Sequence, residues 1–136
     1  MHHLYFVVTP KGDEDYQSDQ VRQYVNSWLQ EEGFCSQGFY SHGKAEWFVL
    51  GGRWSGLLTE IDMEENERNQ YDELGHEDDA QIITQEIIDT LGSIPDFREV
   101  GYVNTDTREE GVVSEMLTIP EEYIGKYWIV VVDYHS

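Results

Sequence analysis

The chain has a single cysteine, Cys35, in 136 residues. An intrachain disulfide is therefore excluded, which favours a reducing compartment. Long apolar runs are also missing. No segment approaches the roughly 20 consecutive apolar residues of a membrane-spanning helix. The N-terminal run Leu4–Val8 is too short for the apolar core of a signal peptide. The expected location is the cytoplasm. Positive charge is scarce: 8 basic residues stand against 28 acidic ones, a formal charge of −20. Phosphate backbones and anionic membrane surfaces repel such a domain, so neither is an expected partner. Either solubility or complementarity to a basic protein surface accounts for the charge.

Aromatic residues are plentiful, at 13% of the chain, and include Trp28, Trp47, Trp54 and Trp128. Large rings can thus supply much of the buried area of one ordinary core. Residues 1–136 are read as a single domain. Leu4–Val8 has the pattern of a buried strand, closed by the turn residues Thr9-Pro10-Lys11-Gly12-Asp13. Val21, Tyr24, Val25, Trp28 and Leu29 recur at helical spacing. Ser18 is the expected cap of that helix, and Gly33 its stop, with Phe34 folding back on the last turn. Phe34 to Gly43 has the composition of a loop. Ala45–Leu50 is a second strand, broken by Gly51-Gly52, after which Leu57 and Leu58 resume an extended segment.

Residues 60–79 hold ten acids and one base, Arg68, the pattern of an exposed acidic excursion. Beyond it, Ala80, Ile83, Ile87 and Leu91 share one helical face. A strand at Ala80–Thr84 followed by a helix capped by Thr84 fits as well. Val100–Thr105 and Gly111–Leu117 pair as a hairpin, and Pro120–Tyr123 makes a turn. Tyr127–Val132 is apolar on both faces and suits a central strand. The expected fold is α+β: a single mixed or antiparallel sheet with two helices packed on it, ferredoxin-like in kind.

Three constellations could carry chemistry. In Gly51-Gly52-Arg53-Trp54-Ser55-Gly56, glycines after a strand can offer backbone N–H groups to an anion. Arg53 can pair with a phosphate or carboxylate, and Trp54 can stack on a ring. Gly51, Gly52, Arg53 and Trp54 are therefore the candidate ligand-binding residues. The bland alternative makes Arg53 the partner of a local carboxylate and Trp54 a core-edge residue. The Lys-Ser/Thr of a phosphate-binding P-loop is absent. In Asp133-Tyr134-His135, strand alternation sets Asp133 and His135 on one face, where they could share a proton or a metal. Tyr71–Asp79 offers oxygen ligands and His76, but neither the calcium-loop spacing nor the zinc-helix motif. No metal site or cofactor is assigned. Cys35 has no base beside it and reads as a buried or idle thiol; His2 and His3 could hold only adventitious metal.

Two stretches resemble an uncharacterised group of small phage and bacterial proteins. One is Glu46-Trp47-Phe48-Val49-Leu50-Gly51-Gly52-Arg53-Trp54-Ser55-Gly56; the other is Trp128-Ile129-Val130-Val131-Val132-Asp133-Tyr134-His135. The second departs at Tyr134, where the group often has Cys. The resemblance implies a phage or mobile-element origin, hence a host cytoplasm, and supplies no catalytic residue.

The resulting expectation is a non-enzymatic binding protein whose acidic excursion engages a basic site on a host protein, with Glu64, Glu65, Asp78 and Asp79 as partner-binding residues. The first alternative is a module for a small anionic or nucleotide-like ligand at Gly51–Gly56. The second is a metal-assisted enzyme using Arg53, Asp133 and His135. The sequence fixes no oligomeric state.

Overall fold

The computed structural model describes residues 1–35, 45–60 and 73–136. The expected loop over 36–43, most of the acidic excursion, and Glu64 and Glu65 within it lie outside the described residues. The fold is α+β with one mixed six-stranded sheet. Its strands are β1 (His2–Pro10), β2 (Trp47–Leu50), β3 (Ala80–Ile82), β4 (Gly101–Asn104), β5 (Glu110–Val112) and β6 (Tyr127–His135). The helices are α1 (Ser18–Glu31), α2 (Gln85–Gly92) and the single turn α3 (Val113–Met116).

Strand β6 organises the sheet. It runs antiparallel to β1 along its whole length, from Tyr127 opposite Pro10 to His135 opposite His2. Its other edge is shared end to end by β2, opposite 132–135, and β3, opposite 128–130. β4 then adds parallel to β1, and β5 closes the far edge antiparallel to β4. Ile129, Val130, Val131 and Val132 are all fully buried, the outcome expected of a strand apolar on both sides.

Each face of the sheet has its own core. Tyr5, Val7, Val130 and Val132 pack against Val21, Val25, Trp28 and Leu29 of α1. Phe6, Val8, Ile129 and Val131 pack against Ile83, Ile87 and Leu91 of α2 and its approach, with Val113, Met116 and Leu117. The helices thus divide between the two faces, whereas the ferredoxin-like expectation would gather both on one.

Local differences from expectation have local causes. Gln17, not Ser18, precedes the first turn of α1, and its N–H donates to the Gln20 side chain at 2.7 Å. The Ser18 hydroxyl instead donates to the Glu77 carbonyl at 2.6 Å. The other end of α1 is as read: Gly33 adopts φ +77°, and the N–H of Phe34 reaches back to the Leu29 carbonyl at 3.0 Å. Ala80–Ile82 is a strand, and Thr84 caps α2 by accepting from the Ile87 N–H at 3.2 Å. The second hairpin strand stops at Val112, because Val113, Met116 and Leu117 bury one face of a helical turn. Leu57 and Leu58 form a tight helical turn with Thr59 rather than an extended segment.

Candidate functional site

The two stretches singled out in the sequence meet on the α2 face of the sheet. Leu50 ends β2 opposite Val132, and the Gly51 N–H donates to the Val131 carbonyl at 2.8 Å. The chain then turns over β6 with Gly51 at φ +74° and Gly52 at φ +55°, conformations that favour glycine. The absent side chains serve a second purpose. A Cβ on Gly51 would collide with the Asp79 carboxylate, and one on Gly52 with that of Asp133.

Both carboxylates are buried, and both hold the loop. Asp133 Oδ2 accepts from the Arg53 N–H at 2.9 Å, while Oδ1 lies 2.8 Å from His2 Nδ1. Asp79 Oδ1 accepts from the Gly56 N–H at 3.0 Å. Its Oδ2 accepts from the Ser55 hydroxyl at 2.8 Å and the His76 N–H at 2.7 Å. Burial pushes the Asp79 carboxyl above the usual carboxylate range, and these donors pull it only part of the way back. The N–H groups of Trp54 and Ser55 close the turn on the carbonyls of Gly51 and Gly52 at 3.0 and 3.2 Å. The N–H groups of Gly51, Arg53, Trp54, Ser55 and Gly56 are therefore all spent within the protein. Of the glycine pair expected to present donors to an anion, Gly51 gives its N–H to the chain's own strand β6.

The loop's side chains are what remain available. Arg53 is exposed, and among the described residues its guanidinium meets no hydrogen-bond or ion-pair partner. With Trp54 it forms one wall of a groove of about 420 Å³, whose other wall is Thr90 in the last turn of α2 and Ser93, Ile94 and Pro95 after it. Trp54 is half-buried on the α2-side core, as the bland reading of that residue holds.

Beside the loop, strand register aligns Trp47, His135 and His2 in one row across β2, β6 and β1. The Trp47 and His135 rings stack with centroids 5.3 Å apart, and His2 meets both edge-on. Asp133 and His135 share this face, as alternation requires, but do not pair with each other. Asp133 takes His2, while His135 Nδ1 lies 3.1 Å from Glu46 Oε2 and its Nε2 3.0 Å from the Met1 nitrogen. A carboxylate accepts, so its contact with His2 puts the hydrogen on Nδ1 and leaves Nε2 as the basic atom. No side-chain hydroxyl or thiol bonds His2 among the described residues.

Comparison with family models, curated proteins and solved structures finds no match.

The acidic candidates separate. Asp78 is half-buried and lies 3.0 Å from His76 Nδ1. Asp79, expected on the exposed partner face, is fully buried beneath the glycine loop, so it is a correction: burial with three donors makes it an internal anchor. Cys35 is exposed rather than buried, and partial desolvation raises its thiol pKa, which favours an inert thiol. Among the described residues, no group of three or more His, Cys, Asp or Glu is arranged to hold a metal ion. No helix among them is long and apolar enough to cross a membrane. The sequence alone does not single out His2, Glu46 and Trp47 for this site. Their signal was the alternation of polar side chains at the ends of apolar strands, but only strand register brings them together.

Proposed function

We propose that this chain is a non-catalytic binding protein that engages a basic surface of another protein, with the Gly51–Gly56 loop as a rigid platform. One observation carries the reading: the N–H groups of Arg53 and Gly56 are held by the buried carboxylates of Asp133 and Asp79 and that of Gly51 by β6, while the exposed Arg53 side chain has no partner among the described residues. A platform so held can display a side chain without paying to order it on contact. Arginine and tryptophan dominate the energetics of protein interfaces, and Arg53 lies on the same face of the sheet as the exposed Trp47. Exposed Glu46 and Glu60 flank this surface, and the −20 charge supplies long-range attraction to a basic partner. Glu64, Glu65 and Asp78 supply acidic charge to the partner in this proposal; Asp79 does not take part. The resemblance to small phage and bacterial proteins supports a host protein as the partner.

The test is affinity capture from bacterial lysate at low and high salt, repeated with two variants. A basic protein retained at low salt and shed at high salt is the expected result. The triple variant Glu64→Gln, Glu65→Gln, Asp78→Asn is expected to slow association with that protein by at least about tenfold. Arg53→Ala is expected to raise its dissociation rate. Retention that neither salt nor the triple variant alters would sink the proposal.

A further inference from the structure

On the opposite face of the sheet, a cleft of about 740 Å³ opens over the carboxyl ends of the adjacent parallel strands β1 and β4. The chain leaves β1 through the turn at 11–17 toward α1 and leaves β4 through the turn at 105–109 into the antiparallel β5. The volume lies within the range of small-molecule pockets.

The lining is unlike the rest of this acidic surface. Lys11 and Arg108, two of the eight basic residues, line it with one acid, Asp106, while Glu32 pairs with Arg108 and Glu14 bonds Tyr16 at its edge. Tyr16 and Tyr24 also line the cleft, yet are 44% and 46% exposed, which leaves their rings accessible for stacking. The floor is donor-rich. Thr9 and Thr105 bridge β1 and β4 through hydroxyls 2.8 Å apart; Thr105 donates, so the Thr9 hydrogen is left over. Trp128 contributes to the same wall at 7% exposure, and its indole N–H is buried with no acceptor among the described residues. An unpaired buried donor is costly, which sets Trp128 apart among the residues of this wall. Arg108 is already tied to Glu32 at 3.2 Å, which fixes it at the cleft's rim; the Lys11 ammonium meets no ion-pair partner among the described residues.

We infer that this cleft binds a small aromatic anion, with its ring against Tyr16 and Tyr24 and its anionic group at Lys11 and Arg108. A carboxylate and a phosphate would satisfy the same donors. The proposal is independent of the binding surface at Arg53, which lies on the other face.

The experiment is a titration of the uniformly ¹⁵N-labelled chain followed through the backbone amides and the Trp128 indole resonance, identified by its loss in Trp128→Phe. The probes are indole-3-acetate, adenosine monophosphate and inorganic phosphate, each to millimolar concentration. The expected result is that at least one of the two aromatic probes shifts Gly12, Thr105 and the Trp128 indole, with phosphate alone far weaker. The tighter aromatic probe names the carboxylate or the phosphate as the preferred anion. Tyr24→Ala and Lys11→Met, both at solvent-accessible positions, are each expected to weaken binding about tenfold. The exposed control Arg98→Ala leaves it unchanged. The proposal is overturned if neither aromatic probe moves these resonances, if phosphate alone matches the nucleotide, or if Tyr24→Ala binds as well as the parent.

Discussion

Asp79→Ala is expected to destabilise the fold by about 3–5 kcal/mol, enough to leave a typical domain partly unfolded. The substitution removes the acceptor for the Gly56 N–H, the His76 N–H and the Ser55 hydroxyl together. All three would be left around a cavity under the loop. Gly51→Ala attacks the same contact from the other side. Its Cβ would have to displace the Asp79 carboxylate, and its backbone sits at φ +74°. A side chain in this sparsely populated positive-φ conformation adds strain of about 1–3 kcal/mol to that displacement. Both variants are expected to lower the urea midpoint sharply, and a midpoint close to that of the parent would show that the loop is not anchored there.

The same carboxylate predicts a pH dependence. Burial holds the Asp79 carboxyl above its unfolded value. Between the two values the folded state therefore binds more protons than the unfolded chain, so stability falls as pH rises through that window. At neutral pH the charged form is a cost that its three donors offset only in part. Asp79→Asn keeps the shape but turns an amide N–H₂ toward donors, so it is also destabilising, by about 1–3 kcal/mol. It should nevertheless flatten the slope of stability against pH in the acid range, because the titrating group is gone.

The second large effect is expected at Phe34. Its ring is 2% exposed and lies between Tyr5, Phe48 and Tyr134, with centroids 5.7, 5.3 and 5.4 Å away. Phe34→Ala should cost about 3–5 kcal/mol, the transfer energy plus the cavity left among three rings that cannot all collapse inward. Phe34→Leu fills most of the volume and is expected to cost less than about 1.5 kcal/mol. Urea unfolding of both variants separates the two cases; equal losses would mean that ring contacts, not volume, hold this site. The position also fixes how α1 ends, since its N–H closes the last turn on Leu29. A residue that caps a helix and fills a core couples local structure to packing directly.

That helix end was legible because a glycine stop followed by an apolar residue is a local pattern with a local cause. So were β1, α1 and the doubly apolar β6. Thr84 marked α2 correctly in one of two open alternatives; the choice needed to know that Ala80–Ile82 finds an edge of β6 to pair with. Val113, Met116 and Leu117 carried helical spacing within a segment assigned to strand, and their period was outweighed by the β-branched neighbours. The arrangement of strands was not legible. A strand apolar on both faces carries no register signal, and β6 accepts three partners.

The candidate site was legible as residues and not as a construction. Gly51-Gly52 marked a forced backbone, and that inference stands. What the glycines make room for was hidden, because Asp79 closes the run Glu77-Asp78-Asp79 and nothing local distinguishes one acid from its neighbours. Only the approach of the loop selects Asp79 for burial. Similarly, His2 and Asp133 are 131 residues apart in sequence and become diagonal neighbours only through the β1–β6 register, which sets His2 opposite His135 and Leu4 opposite Asp133.

Amide hydrogen exchange at Arg53 and Gly56 tests the central claim most directly. If the buried carboxylates of Asp133 and Asp79 hold these two N–H groups, both exchange only through cooperative opening, with protection approaching that of β6, and Asp79→Ala releases Gly56. Exchange at the rate of an open surface loop would contradict the account: the N–H groups would then be free to meet an anion, and the glycine loop would be a ligand cradle rather than a platform for Arg53.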